Sequence, residues 1–384
     1  MIYLDNAATS FPKPQRVLDT MYQAARCFGA NPGRGGHRLS IKAGEKVFLC
    51  REKLSEHFGC ESERVAFTNN CTTALNTAIK GVLKKGDHVV ISSLEHNSVL
   101  RPIHEMSERG IITYSVARVN PLDDNETLRS FAYHTRENTR AFIVTHVSNV
   151  FGTVLPVDKL CAYCKARDIL FIVDGAQSAG SHVINLERQG IDILCIPGHK
   201  GLLGPMGTGA LLFGKDVEIR ELTRGGTGSH SLSENQPTVY PDRLESGTVN
   251  MPGIAGLYEG IRTVESFGGE RAVLGKESEL TELLKEDLSV IPSVDAYTDM
   301  QGGKSTNVLA FNLGDLHSEL VASMLDKEGI AVRAGYHCSF LAHKNYGTTE
   351  KGCVRVSTGI FNSKKDIKNL VFSLNKIAKS KNLC

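Results

Sequence analysis

Between residues 64 and 213, short apolar segments alternate with longer amphipathic ones, and this alternation restricts the fold more than any other feature of the chain. The short segments are Arg64–Thr68, His88–Ser92, Ile112–Val116, Ala141–Val147, Leu170–Val173, Ile191–Ile196 and Gly209–Phe213. They are rich in Val, Ile and Phe and mostly apolar on both faces, the pattern of strands covered by helices on both sides. Helices are predicted between them at Thr72–Leu83, Val99–Arg109, Asp123–His134 and Val157–Arg167. Strand–helix alternation of this kind predicts an α/β unit with a mainly parallel sheet. Ligands of such sheets bind beyond the C-terminal ends of the strands, so polar residues there are the ones to inspect.

After Gly247 the pattern changes. Helices are predicted at Ile254–Phe267, Arg271–Leu288 and Ser318–Glu328, with strands at Val308–Leu313, Ala331–Arg333 and Val354–Ser357. A basic amphipathic helix is predicted at Lys364–Ser380. The expected division is an N-terminal arm (1–15), a large domain (16–250) and a smaller α+β domain (251–384). Arg224–Arg243, rich in Gly, Ser, Thr and Pro, reads as a loop near the site or a subunit boundary.

Charge excludes some partners. With 44 basic and 42 acidic side chains the net charge is 44 − 42 = +2. That balance carries no electrostatic footprint for nucleic acid or an anionic membrane. Apolar runs such as Ile169–Val173 are far too short to span a bilayer, and the first residues carry no secretory pattern, so a cytoplasmic protein is expected. The ten cysteines, spread over 384 residues, then read as reduced thiols.

Several motifs fail on inspection. Gly275-Lys276 is followed by Glu277, which rules out a Walker A loop, and the glycines of Gly201–Gly209 precede a strand instead of following one. Cys161-Ala-Tyr-Cys164 lies in a predicted helix and reads as ordinary helix cysteines. His337, Cys338, His343 and Cys353 match no common zinc-ligand spacing, so no metal is expected.

The informative residues stand singly after strands. Leu170–Val173 runs into Asp174-Gly-Ala-Gln177, and Ile191–Ile196 into Pro197-Gly-His199-Lys200. An aspartate there can be a plain helix cap, and a lysine can be plainly solvated. Together they suit pyridoxal phosphate, whose aldehyde bonds a lysine amine and whose ring nitrogen needs an acid to stay protonated. Phe67-Thr-Asn-Asn-Cys71-Thr72 follows a strand and opens a helix, either as an ordinary capped start or as a phosphate cradle.

With these markers the chain resembles the cysteine desulfurases of the class V aminotransferase family, fold type I pyridoxal-phosphate enzymes. The resemblance covers nearly the whole length. It rests on Tyr3-Leu-Asp-Asn-Ala-Ala8, Arg34-Gly-Gly-His37-Arg38, Glu95-His96, His146-Val-Ser-Asn149, Asp174-Gly-Ala-Gln177, Gly198-His-Lys200, Glu245-Ser-Gly-Thr248, Arg333-Ala-Gly-Tyr-His-Cys338 and Val354-Arg355-Val-Ser. It implies a large, mainly parallel-sheet domain with a smaller α+β C-terminal domain. Lys200 would bond the cofactor, Asp174 would pair with its ring nitrogen, and Gln177 would bond its phenolic oxygen. His96 would stack on the ring and move protons. The Cys71 amide, Thr72 and His199 would hold the phosphate, with Thr248 reaching the partner's phosphate in a homodimer. Asn149 would face the cofactor or the substrate carboxylate, Arg355, His37 and Arg38 would bind substrate, and Cys338 would take sulfur from L-cysteine as a persulfide and pass it to an acceptor protein. Alternatives are selenocysteine lyase, another class V reaction with Cys338 incidental, and a fold retained for binding alone. Departures from the family pattern are Pro197 where serine is frequent, Cys71 where Thr or Ala is usual, and Tyr336 where His is frequent. The stretch from Ser339 to Gly352 reads as a brief loop.

Overall fold

The computed structural model describes residues 1–33, 35–298, 304 and 306–383. A short strand β1 (Ile2–Tyr3) opens the chain, followed by helices α1 (Gln15–Phe28) and α2 (Arg38–Phe58). The alternating region contains β2 (Val65–Thr68), α3 (Cys71–Val82), β3 (His88–Ser92), α4 (Asn97–Glu108), β4 (Thr113–Ala117), α5 (Asp124–His134) and β5 (Thr139–Thr145). It continues with α6 (Val157–Lys165), β6 (Leu170–Asp174), α7 (Leu186–Gln189), β7 (Ile193–Pro197) and β8 (Gly209–Phe213). These seven strands form one sheet in the order β2-β8-β7-β6-β5-β3-β4, parallel except for β8. β3, β7 and β8 are buried along their whole length, which is why they read as unbroken apolar runs.

Residues 214–250 contain no helix or strand, as expected for the loop. Helices α8 (Met251–Ser266) and α9 (Glu270–Ser289) follow, then β9 (Val294–Ala296), β10 (Val308–Leu313), α10 (Ser318–Lys327), β11 (Ile330–Ala331) and β12 (Arg333–Gly335). The chain ends with α11 (Phe340–Tyr346), β13 (Cys353–Ser357) and α12 (Lys364–Ser380). A second sheet has the order β12-β13-β10-β9, antiparallel throughout. Its core includes Leu280, Leu284, Phe311, Val356 and Leu374. α8 instead packs Ile254, Leu257 and Ile261 into the core of the seven-stranded sheet, so the helix just past residue 250 shares the large body's core.

Besides the short elements β1, α7 and β9, the structure departs from the sequence expectation in three larger features. The strand predicted at Ala331–Arg333 is split at Val332: β11 pairs in parallel with β1, and β12 joins the second sheet. The supposed loop after Ser339 contains α11, closed by Gly347 at φ +69°. Helices α1 and α2, for which the sequence pattern predicts nothing, are well formed.

Candidate functional site

The pocket lies at the C-terminal edge of the seven-stranded sheet. Asp174, Gln177, Pro197, His199 and Lys200 line it together with Cys71, Thr72, His96, Ser98 and Asn149. Asp174 ends β6 and is 2% exposed. Its Oδ1 accepts the Ala176 N–H at 2.9 Å and the Cys71 thiol at 3.5 Å. Burial raises this carboxyl, and the Ala176 N–H and the Lys200 charge pull it partly back. Lys200 opens onto the pocket. Desolvation draws its ammonium below the ordinary range, opposed by the Asp174 charge. For both groups the mutual attraction offsets only part of the cost of burying the charge.

The opposite wall is a helix start. Asn70 caps α3 by accepting the Thr73 N–H at 2.9 Å. A Cβ at Gly209, the first residue of β8, would sit 2.8 Å from the Asn70 carbonyl carbon, so the missing side chain lets the start of α3 lie against the sheet. A chain of polar contacts runs along this wall: Thr72 Oγ1 to Ser98 Oγ at 2.7 Å, and Ser98 Oγ to His96 Nδ1 at 2.8 Å. His96 Nδ1 also accepts the Ser98 N–H at 3.0 Å, so the neutral ring carries its proton on Nε2. Burial, then the Lys200 charge, lowers its pKa to about 4. His199 is lowered to about 4 for the same reasons, and its buried Nδ1 has no partner. Its carbonyl accepts from Ser10 N, Thr9 Oγ1, Ser10 Oγ and Lys13 Nζ, binding the N-terminal arm to the lysine segment. A buried acid, an amine, a neutral imidazole, an orphaned ring nitrogen and a capped helix N-terminus are the donor set that a phosphorylated pyridine aldehyde requires, and the residues fit pyridoxal phosphate.

The rim comes from the second sheet. Asn149 Nδ2 donates to the His337 carbonyl at 2.8 Å, and its Oδ1 accepts from Ser339 Oγ at 2.7 Å. Its amide therefore brackets Cys338, which is exposed, with its own carbonyl held by the Asn97 N–H at 2.7 Å. His337 and Cys338 take left-handed φ values of +50° and +57°. Burial, then the nearby Arg355 charge, lowers the His337 pKa to about 2, so this imidazole stays neutral and is no cation for the thiol. Arg355 is 2% exposed. Its Nη2 pairs with Asp5, Nη1 donates to the Asn149 carbonyl at 2.9 Å, and Nε is buried without a partner. Gln177 donates Nε2 to the Ala7 carbonyl at 3.0 Å.

Not every expected residue reaches this pocket. His37 caps α2, accepting the Ser40 N–H at 3.3 Å; His37, Arg38 and Thr248 are exposed and away from the pocket lining. Arg34 lies outside the described residues. Pro197 closes β7 and lines the pocket without a hydroxyl to offer, and the Tyr336 hydroxyl donates to the Thr349 carbonyl at 3.0 Å. Three further contributors carry no local sequence signal of a role: Asp5, Ser98 and Glu95. Glu95 is fully buried under the strand ends, accepts the Thr145 N–H at 2.8 Å and bonds Ser92. Burial raises its pKa to about 8. Asp5 and Glu95 both stand inside the quoted family markers.

Known proteins agree with this construction. The family model for aminotransferase class-V matches residues 2–370. A probable cysteine desulfurase of Methanothermobacter thermautotrophicus is 33% identical, over 98% of this chain and 94% of the relative. A cysteine desulfurase of Salmonella choleraesuis is also 33% identical, over 98% and 93%. The solved apo structure of a cysteine desulfurase from Thermococcus onnurineus superposes with a TM-score of 0.91 at 30% identity, covering 99% of this chain and 95% of that one. With its fold, its pocket and its full-length match in accord, this chain belongs to the class-V aminotransferase family of pyridoxal-phosphate enzymes.

Proposed function

We propose that the chain is a cysteine desulfurase that converts L-cysteine to L-alanine and keeps the sulfur as a persulfide on Cys338. One observation carries this reading: Asn149, from the pocket wall, bonds the residues on both sides of Cys338. An exposed thiol is thereby tied to the mouth of a pocket that fits the cofactor. Bound pyridoxal phosphate supplies an electron sink for bonds at the substrate's α carbon. Lys200 would hold the cofactor and move the α proton through Nζ, whose ammonium form burial disfavours. Asp174 would hold the ring-nitrogen proton, Gln177 would bond the phenolic oxygen, and His96, with its proton on Nε2, would stack on the ring. The Cys71 amide, Thr72 and His199 would hold the phosphate. Arg355, through its unpartnered Nε, and Asn149 orient the substrate carboxylate. Cys338 Sγ bonds the substrate sulfur and the sulfur–carbon bond breaks. Its electron pair stays with the three-carbon fragment, which takes a proton and leaves as L-alanine.

A homodimer belongs to the same reading. α1 and α2 leave Tyr22, Ile41 and Phe48 more than half exposed, the kind of apolar face that a second copy covers. Thr248, His37 and Arg38 would then reach the partner's site. A large and a small domain are supported by the seven-stranded sheet before residue 214 and the four-stranded sheet after 293, with α8 on the large side of the boundary. A cytoplasmic setting is supported by the nine described cysteines, all unpaired. No described helix is long and apolar enough to cross a membrane. The persulfide would pass to an acceptor protein. Mass spectrometry after brief exposure to L-cysteine tests the core of the proposal: Cys338 is expected to gain one sulfur atom. Release of alanine with Cys338 unmodified would reassign the reaction. Parallel assays with L-cysteine and L-selenocysteine separate sulfur from selenium as the physiological element.

A further inference from the structure

Behind the Cys338 loop, three side chains from separate segments converge in the interior. His337 follows β12, His343 lies on α11, and Cys353 opens β13. They are 8%, 0% and 0% exposed. Each offers one ligand atom such that the three atoms lie within 4.8 Å of one another. Cys353 Sγ is 4.0 Å from His337 Nδ1, and the two imidazoles lie nearly parallel with centroids 5.9 Å apart.

His337 Nε2 and His343 Nε2 are buried and make no well-aligned hydrogen bond, with backbone groups of Arg333 and Tyr336 beside the two rings. Buried polar atoms are almost always well satisfied, so two poorly satisfied nitrogens in one cluster are open to a further partner. The other nitrogen of His343 is already held. Its Nδ1 lies 2.8 Å from Thr348 Oγ1, and when Nδ1–H donates there, a bare lone pair is left on Nε2.

We propose that His337, His343 and Cys353 form a binding site for one divalent transition metal of the zinc class, at the root of the Cys338 loop. Two imidazoles and a thiolate select zinc or cobalt over magnesium and calcium, which take oxygen ligands. With bond lengths of about 2.0–2.3 Å, tetrahedral ligand atoms stand roughly 3.3–3.7 Å apart, so the cluster closes by about an ångström. On binding, the Cys353 S–H bond breaks, a metal–sulfur bond forms and the proton leaves to solvent; nothing is oxidised or reduced. Three protein ligands leave the fourth position to a water molecule. The Arg355 charge nearby is taken up by Asp5, and the new thiolate cancels one charge of the ion. The metal would clamp His337, and with it the turn that presents Cys338, to β13 and α11. This inference is independent of the desulfurase reading.

The test uses the cofactor-loaded protein carrying Cys338→Ser, so that the exposed thiol cannot bind the probe. After chelator treatment and dialysis against cobalt(II) chloride, one cobalt per chain is expected. Thiolate-to-cobalt charge transfer and visible bands of four-coordinate cobalt should accompany it, and added zinc should displace it. X-ray absorption should count two imidazole nitrogens and one sulfur. His343→Gln and Cys353→Val should each lose the charge-transfer band and at least tenfold in affinity, with cofactor absorbance reporting that each is folded. Sub-stoichiometric cobalt, a first shell without sulfur, or charge transfer that survives Cys353→Val overturns the site. The absorption experiment on Cys338→Ser decides the matter even if both ligand variants fail to fold.

Discussion

At the floor of the pocket, Asp174, His199 and Lys200 sit at or just past strand ends of the seven-stranded sheet, backed by side chains such as Val173 and Ile196 that are 0–1% exposed. At the rim, Cys338 stands in a turn with two successive left-handed residues, exposed and held by hydrogen bonds from Asn149 and Asn97. Close packing fixes the floor, and desolvation there tunes protonation. Polar bonds fix the rim, where non-glycine residues at positive φ cost of order 1–3 kcal/mol each. The floor is therefore suited to holding a cofactor and the rim to presenting a nucleophile, and mutations should separate the two.

The largest expected effect is at the floor. Lys200→Ala should abolish turnover and the absorbance of lysine-bound cofactor, while the phosphate contacts still retain some pyridoxal phosphate noncovalently. Borohydride trapping followed by peptide mapping checks this; label on a different lysine would move the floor elsewhere. Cys338→Ser should do nearly the same to alanine production from L-cysteine while leaving the cofactor spectrum intact. If both activity and spectrum change, floor and rim are not separable.

Asn149→Ala sharpens the boundary between the two. It removes two hydrogen bonds to the Cys338 turn, worth about 1–3 kcal/mol together. At roughly 1.4 kcal/mol per factor of ten, alanine production should fall about 5–140-fold. Cofactor affinity should change little, and an equal loss of cofactor would place Asn149 in the floor. The smallest effect concerns Glu95. Its folded pKa, about 8, lies above the ordinary carboxyl value of 4.5. Between those values the folded state holds a proton that the unfolded state has released, so stability falls as pH rises through that window and levels off above it. Glu95→Gln, permanently neutral, should flatten this slope in urea titrations run between pH 5 and 9. Parallel slopes for both proteins would show that Glu95 stays ionised.

Much of the floor is legible in the sequence. A parallel sheet places its site at strand ends, so two apolar runs and the polar residues directly after them are enough to locate Asp174 and Lys200. The rim is less so. Arg355 finds Asp5, and Asn149 finds His337 and Ser339, across separations of 350, 188 and 190 positions, and nothing local encodes those pairs. α1 and α2 are hidden for another reason. Leu18 and Tyr22 on one, and Leu39, Ile41, Phe48 and Leu49 on the other, are exposed in addition to the residues each helix buries. On α2 these apolar side chains on several faces blur the 3.6-residue stripe by which a helix is recognised, whereas α1 keeps a well-segregated stripe, overshadowed by the strand–helix alternation further along the chain. The histidine–cysteine cluster follows no ligand spacing along the chain, yet α11 and β13 bring its members together in space.

The arm has a consequence for how the protein is made. β1 pairs with β11, Asn6 bonds the Ser357 carbonyl and the Asn362 side chain, and Asp5 pairs with Arg355. Residues 2–6 thus have their partners more than 320 positions further along the chain. At about 5–20 residues per second, some 350 residues take roughly 18–70 s to synthesise, and for that time the arm has no β11, Ser357 or Arg355 to bind. The strands of the large sheet can pair while the chain is still growing. Asp5 has no counter-ion until Arg355 has been made, so a chain truncated before Arg355 should fold its large sheet and remain inactive.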